Sequence, residues 1–512
     1  MLRAYKLSPI VLCSALAFLV AGELACGTGL FFVTMMFVAM LSIGVTYNLL
    51  GGLSSFSGII FAGFALRTIV VSQFAKVLLL EAADKNLELP QLTISVYAVF
   101  YLSALLGTFI YGRTRLRLPK PWEPETSAHS TILYSIALVA GLIGTIVYET
   151  YAGAVEGQEQ IYNGTRSFAL ALSPLLLFSL IMAVDMRIAR TKGRHSFGMG
   201  AFIPWLTLTA VGFVDSVRTN ILVPSIVYAV TCYLRGYRFR MRHYVVLIAG
   251  AAVFTAILSP LALYSRNYAR GMPLNERVYK TLYILTIFHD PRQLAASVET
   301  AFEESTGSRE QYFSLPGTYL LSRFSLIRAD SNVIEACAHG VHYGLGAVKI
   351  ELINAVPSFL YKNKPRNVSG EDYIGHISGM SPDNDELGYP QISAVGDSYG
   401  AFGWPGVILF PFLCFPIVFV VFESMFDLSR PWGTVALGMT MFAFGEFMLD
   451  RFLPLVIRTP LYMILLSYFV GWIAKIVPVE GDHILFGGAA SRSSAESEVA
   501  SSPPGRLAGR TG

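Results

Sequence analysis

Gly29-Leu-Phe-Phe-Val-Thr-Met-Met-Phe-Val-Ala-Met-Leu-Ser-Ile-Gly-Val-Thr-Tyr47 carries no charged side chain over a length that matches the hydrocarbon core of a bilayer. It reads as a membrane span, and similar stretches recur along most of the chain. The composition agrees with this. The 512 residues are 54% hydrophobic and 14% charged, with a mean hydropathy of +0.54, whereas soluble domains are about one quarter charged. The fold class that follows is all-α, a polytopic transmembrane helical bundle.

Outward from this stretch, a span over 8–26 precedes it. With no convincing cleavage site behind it, that segment is expected to be retained. Further spans cover 56–80, 94–111 and 131–148, and a sixth ends near Val184. A seventh and an eighth flank Asp215-Ser-Val-Arg218, and a ninth runs to about Leu263. Alternate connections are basic: Arg113, Arg115, Arg117 and Lys120; Arg187, Arg190, Lys192 and Arg194; Arg235, Arg238, Arg240 and Arg242. The positive-inside rule puts these and the N-terminus in the cytoplasm. Three more spans lie over 404–422, 432–449 and 460–476, giving about twelve in all and a cytoplasmic C-terminus.

The chain thus divides into an N-terminal transmembrane block (1–263), a long extracytoplasmic loop between spans nine and ten (264–402), a C-terminal transmembrane block (403–476) and a Gly/Ser/Ala/Pro-rich tail (477–512) expected to be disordered. Within the loop, 345–360 has the spacing of a re-entrant or surface-lying helix. In the third span, Lys76 is expected to snorkel, and Arg67 to face protein, water or headgroups.

Several classes of chemistry find no motif. The sequence holds no P-loop, no Gly-x-Ser-x-Gly and no His-Glu-x-x-His, and its five cysteines show no metal-ligand spacing. The net charge of +4 comes from short clusters beside apolar spans, which does not indicate nucleic acid. Asp383-Asn-Asp385 could hold a metal on a diphosphate, but it sits in turn sequence on the outer side.

The outer arginines Arg218, Arg266, Arg270, Arg323 and Arg328 run against the cytoplasmic bias. A guanidinium suits bidentate binding of phosphate or diphosphate. The plainer reading pairs them with acids such as Asp215 or Asp330. Asp397, in a Gly-rich turn before span ten, could act as a general base or hydrogen-bond a sugar, or could cap the turn. His339 and His342 are further candidate bases, or ordinary surface residues.

In order along the chain, Asp215-Ser-Val-Arg218, Leu321-Ser-Arg-Phe-Ser325 with Asp330, Tyr343-Gly-Leu-Gly346, Val356-Pro-Ser-Phe-Leu-Tyr-Lys-Asn-Lys-Pro365 and Gly396-Asp-Ser-Tyr-Gly-Ala-Phe-Gly-Trp-Pro-Gly406 resemble the motifs of oligosaccharide repeat-unit polymerases, the Wzy-type O-antigen polymerase family. Two positions depart from that pattern: Ser358 stands where a second basic residue is expected, and Ser398 separates Asp397 from Tyr399.

The resemblance implies undecaprenyl-diphosphate-linked oligosaccharide substrates at the outer face of a bacterial inner membrane, with neither metal nor cofactor. It implies catalytic roles for Arg323, Asp397 and His339, and substrate binding by Arg218, Arg266, Arg270, Lys364 and Tyr399. It also implies a chain-length regulator and a flippase of the same pathway as partners. Three other classes stay open: an O-antigen ligase-like transferase, a flippase or transporter of lipid-linked sugar, and a structural protein of an envelope complex. A transporter would show internal repeats, and none is visible.

Overall fold

The computed structural model describes residues 6–114, 130–152, 164–215, 218–254, 274–287, 312–314, 325–344, 392–445 and 454–476, with a few single positions between them. Among the described residues the regular structure is helical, without a strand. The first block contains α1 (Pro9–Ala25), α2 (Leu30–Leu49), α3 (Phe56–Ala65), α4 (Val71–Leu78), α5 (Pro90–Thr114), α6 (Ser130–Ala152), α7 (Gly164–Leu172), α8 (Pro174–Arg190), α9 (Met199–Val214), α10 (Arg218–Leu234) and α11 (Met241–Val253). Among the described residues of the interval read as a loop lie α12 (Leu274–Ile287), α13 (Ile327–Ala338) and α14 (Ala394–Phe402). The last block holds α15 (Trp404–Met425), α16 (Pro431–Gly445) and α17 (Thr459–Ile476).

Among the described residues, six helices are long and apolar enough to cross a membrane: Leu30–Leu49, Phe56–Leu78, Pro90–Arg113, Thr131–Thr150, Phe168–Arg190 and Trp404–Met425. Shorter apolar helices occupy Pro9–Ala25, Met199–Val214, Ile221–Leu234 and Leu455–Phe469. This is the make-up of a membrane protein. The segment expected as a helix over 345–360, the Asp383-Asn-Asp385 string and the tail lie outside the described residues.

Packing is set by aromatic side chains and small residues. Phe61, Phe64, Phe100, Tyr101 and Phe415 interlock between α3, α5 and α15 in edge-to-face and tilted pairs, with ring centroids 5.5–6.2 Å apart. Gly107 lets α5 approach α15 closely; a Cβ there would lie 2.5 Å from the Phe412 carbonyl oxygen. Small residues at contacts are what helix association in lipid requires. A π-helical turn, Leu66–Val70, joins α3 to α4.

Lys76 differs from expectation. It does not snorkel; it is 0% exposed, donates to Glu81 at 2.9 Å and lies 4.4 Å over the Tyr312 ring. A carboxylate and an aromatic face reach it from the protein side, so the ammonium is compensated where it stands. Tyr312 is itself fully buried, donating to the Ala83 carbonyl at 2.6 Å and accepting from Gln73 at 3.2 Å.

Polar contacts sort the helix ends into two sets. In the first, Leu7 and Asn48 bond each other at 2.7 and 2.9 Å, Ser57 N–H donates to Glu423 at 2.9 Å, and Arg190 bonds Thr131 at 3.2 Å. Arg235 pairs with Asp185 at 2.6 Å and donates to the Ser429 carbonyl. In the second, Gly29 N–H donates to Asp84 at 2.9 Å, Asn86 to the Tyr312 carbonyl at 3.0 Å, and Arg328 to Glu88 at 2.7 Å. Successive apolar helices run from one set to the other, and the basic ends of α8 and α10 fall in the first.

Candidate functional site

The second set of ends contains a buried polar cluster, built where α5, α13 and α14 meet. Its centre is Asp330 in the first turn of α13, 0% exposed. Its Oδ1 accepts from the Ser393 N–H at 2.7 Å, and its Oδ2 from the Ser393 hydroxyl at 2.5 Å and from the Tyr97 hydroxyl of α5. Ser393 is also the N-cap of α14, accepting from Val395 N–H at 3.1 Å. The carboxylate therefore faces a helix N-terminus, the favourable end for negative charge. Burial still pushes the carboxyl up to about 6, against the lowering effect of its Ser393 and Tyr97 bonds.

Gly396 is what lets α13 and α14 close on each other. A Cβ there would stand 2.6 Å from Asp330 Oδ1 and 3.0 Å from the Asp330 Cα. One turn of helix separates Gly396 from Gly400, whose Cβ would strike the Tyr343 ring at 2.5 Å. The two backbones are laced there: Tyr343 N–H donates to the Gly400 carbonyl at 3.2 Å, and Gly344 N–H to that of Ala401 at 2.9 Å. Tyr343 donates its phenol proton to the Asp397 carboxylate and approaches the Asp397 carbonyl at 2.7 Å.

Asp397 is 1% exposed, so its carboxylate faces Tyr343 rather than solvent. Tyr399 is 6% exposed, its ring meeting His342 edge to face at 6.0 Å and Trp404 at 5.8 Å. Asp397 thus contacts Tyr343, and Tyr399 contacts His342. His342 is exposed, and its Nε2 lies 3.0 Å from where a Cβ on Gly403 would stand. Gly403 turns the chain from α14 into α15 with φ of 61°, a conformation that glycine adopts without strain. His339 is exposed at the C-terminal cap of α13, away from these ring contacts.

Among the arginines, Arg328 is 7% exposed and tied to Glu88 and the Asn86 carbonyl, as the ion-pairing reading has it. Arg218 begins α10. Arg266, Arg270, Arg323 and Lys364 lie outside the described residues, although Ser325, two positions after Arg323, is buried. The expected partner acid Asp215 is taken by Arg277 of α12 at 2.8 Å, and the same guanidinium holds the Glu149 carbonyl at 3.0 Å and its carboxylate at 3.4 Å.

Sequence reasoning had not singled out Arg277, Tyr97 or the Tyr343 side chain. Tyr97 lies inside an apolar span, where an aromatic residue carries no signal of its own. Asp330 was visible as a possible ion-pair partner and beside the Leu321–Ser325 stretch, not as a buried centre.

Comparison with family models, with curated proteins and with solved structures gives no match to this chain.

Proposed function

We propose that the chain is a membrane glycosyltransferase that elongates lipid-diphosphate-linked oligosaccharides, in the manner of repeat-unit polymerases. The observation that carries the reading is the convergence of Asp330, Tyr343 and the 393–406 segment. These lie within three of the stretches that resemble that family, and they meet in one polar junction. The topology inferred with it has about twelve crossings of a bacterial inner membrane, cytoplasmic termini and the junction outside. Its support is the two-set division of helix ends, with the basic ends of α8 and α10 on the side opposite the junction.

In the reaction, the acceptor sugar hydroxyl attacks the anomeric carbon of the donor chain. The bond from that carbon to the lipid diphosphate breaks, and its electron pair leaves with the diphosphate. The hydroxyl proton passes to the His342 imidazole, the exposed base seated beside the junction. Arg323, with Arg218, Arg266, Arg270 and Lys364, is assigned to the charge developing on the diphosphate. Asp397 and Tyr343 hold the segment that supports His342. A chain-length regulator and a flippase are the partners this reading calls for.

Mass spectrometry of lipid-linked sugars in the native host tests it, with the gene intact, deleted or carrying Arg323→Ala. Deletion and Arg323→Ala are both expected to leave single repeat units without polymer. Full-length polymer on its lipid carrier in the deletion strain overturns the reading, and one transfer per acceptor instead of a ladder would favour a ligase.

A further inference from the structure

α12 has two different faces. One holds Arg277 and Thr281, both buried, and Arg277 fastens it to the ends of α6 and α9. The other holds Glu276, Tyr279, Lys280 and Tyr283, spaced so that they neighbour one another on a helix. Tyr279 is 71% exposed and Tyr283 53% exposed. Their rings are parallel, with centroids 6.4 Å apart and planes 9° apart. Tyr279 also lines a cavity of about 310 Å³ with Met272, Asn275, Glu276 and Lys280. That volume is at the lower end of small-molecule sites, roughly 300–1,000 Å³.

The lining selects among ligands. An acyl chain or apolar peptide would desolvate the Glu276 carboxylate and the Lys280 ammonium without compensation. A diphosphate would find no net positive charge, since Glu276 offsets Lys280. A sugar ring fits both features: its C–H face lies flat on an aromatic ring, and its rim hydroxyls bond a carboxylate and an amide.

We propose that α12 bears a carbohydrate platform, on which Tyr279 and Tyr283 stack against the growing polysaccharide while Glu276 and Asn275 bond its hydroxyls. The platform rests on the polymerase reading for its ligand. It keeps the product chain on the enzyme between additions, so its loss shortens the polymer.

The test uses the full-length protein in two settings. In the host, Tyr279→Leu/Tyr283→Leu keeps apolar surface while removing the flat rings. The modal polymer length is expected to fall by about half or more without a build-up of single repeat units. In nanodiscs, calorimetry with oligosaccharide fragments cut from the host polymer is expected to detect binding to wild type. The leucine pair should weaken that binding about tenfold, the worth of one or two aromatic contacts, and Tyr279→Phe/Tyr283→Phe should retain it.

Unchanged polymer length in the leucine variant overturns the proposal, as does failure of wild type to bind the fragments. The wild-type measurement stands even if the leucine variant does not fold. Persistence of full-length polymer in a deletion strain would instead sink the polymerase reading, whatever the fragments do.

Discussion

Tyr343 donates its hydroxyl proton to the carboxylate of Asp397, 54 residues further along the chain. The bond fastens the turn after α13 to the helix that leads into α15. Without it, a carboxylate that is 1% exposed would lose its Tyr343 donor. Tyr343→Phe is therefore expected to lower stability by about 1–3 kcal/mol, read as thermal unfolding of the purified protein, and to reduce polymer in the host. Unchanged unfolding would mean that another donor meets Asp397.

Asp330 gives a pH signature. Its folded carboxyl is pushed up to about 6 by burial, whereas an unfolded aspartate titrates near about 3.9. The folded state binds the proton more tightly, so stability falls as pH rises between about 4 and 6. Over that window the loss amounts to about 3 kcal/mol. Asp330→Asn cannot ionise and keeps an oxygen for the Ser393 N–H. Its melting temperature should drop less than wild type between about pH 4.5 and 7; parallel profiles would assign the effect to another group. Asp330→Ala, which takes the acceptor from the Ser393 N–H and hydroxyl and the nearer of two acceptors from Tyr97, should be worse than either.

The closeness of α13 and α14 predicts a large effect from one methyl group. Gly396→Ala drives a Cβ to 2.6 Å from Asp330 Oδ1 and is expected to cost about 1–3 kcal/mol, as overpacking does. Gly63→Ala in α3 meets nothing within 4 Å and serves as the control, with a neutral or slightly raised melting temperature.

Arg277 is held by two carboxylates on two other helices. Arg277→Ala strands both and should destabilise by about 3–5 kcal/mol. Arg277→Lys, which loses the fork that spans Asp215 and Glu149, should recover only part of this. Full recovery by lysine would show that charge alone suffices.

The two sets of helix ends can be labelled. In a background with the five native cysteines replaced, Ser314→Cys and His339→Cys, both exposed, should react with an impermeant thiol reagent added outside intact cells. His195→Cys and Ser429→Cys, also exposed, should react only after permeabilisation. Any crossover between the pairs would break the topology.

Apolar periodicity and basic clusters made the helical class and the positions of most apolar helices legible in the sequence, because both are local signals. The junction was legible only as separate pieces. Gly396, Asp397, Tyr343 and Asp330 stood in quoted stretches, but nothing in the spacing tells that Asp330 accepts from Ser393, the N-cap of the helix starting at Ala394. Burial decides two positions for the same reason. Asp397 stands between Gly396 and Gly400, and those glycines are what let α13 and Tyr343 cover it. Lys76 looked able to snorkel because its partner ring, Tyr312, is more than two hundred positions away and reaches it only in the folded chain.

The π-helical turn at Leu66–Val70 sets an angular phase. A π turn carries one residue more than an α turn, and each residue advances an α-helix by about 100°. Deleting a single residue there would rotate all of α4 by that amount against α3, sweeping Lys76 and Gln73 away from Tyr312 and presenting an ammonium to lipid. The bulge thus acts as a keyway: it fixes which side of one apolar rod meets Tyr312, and a length change of one residue in that rod would be felt first not in the rod but at that ring.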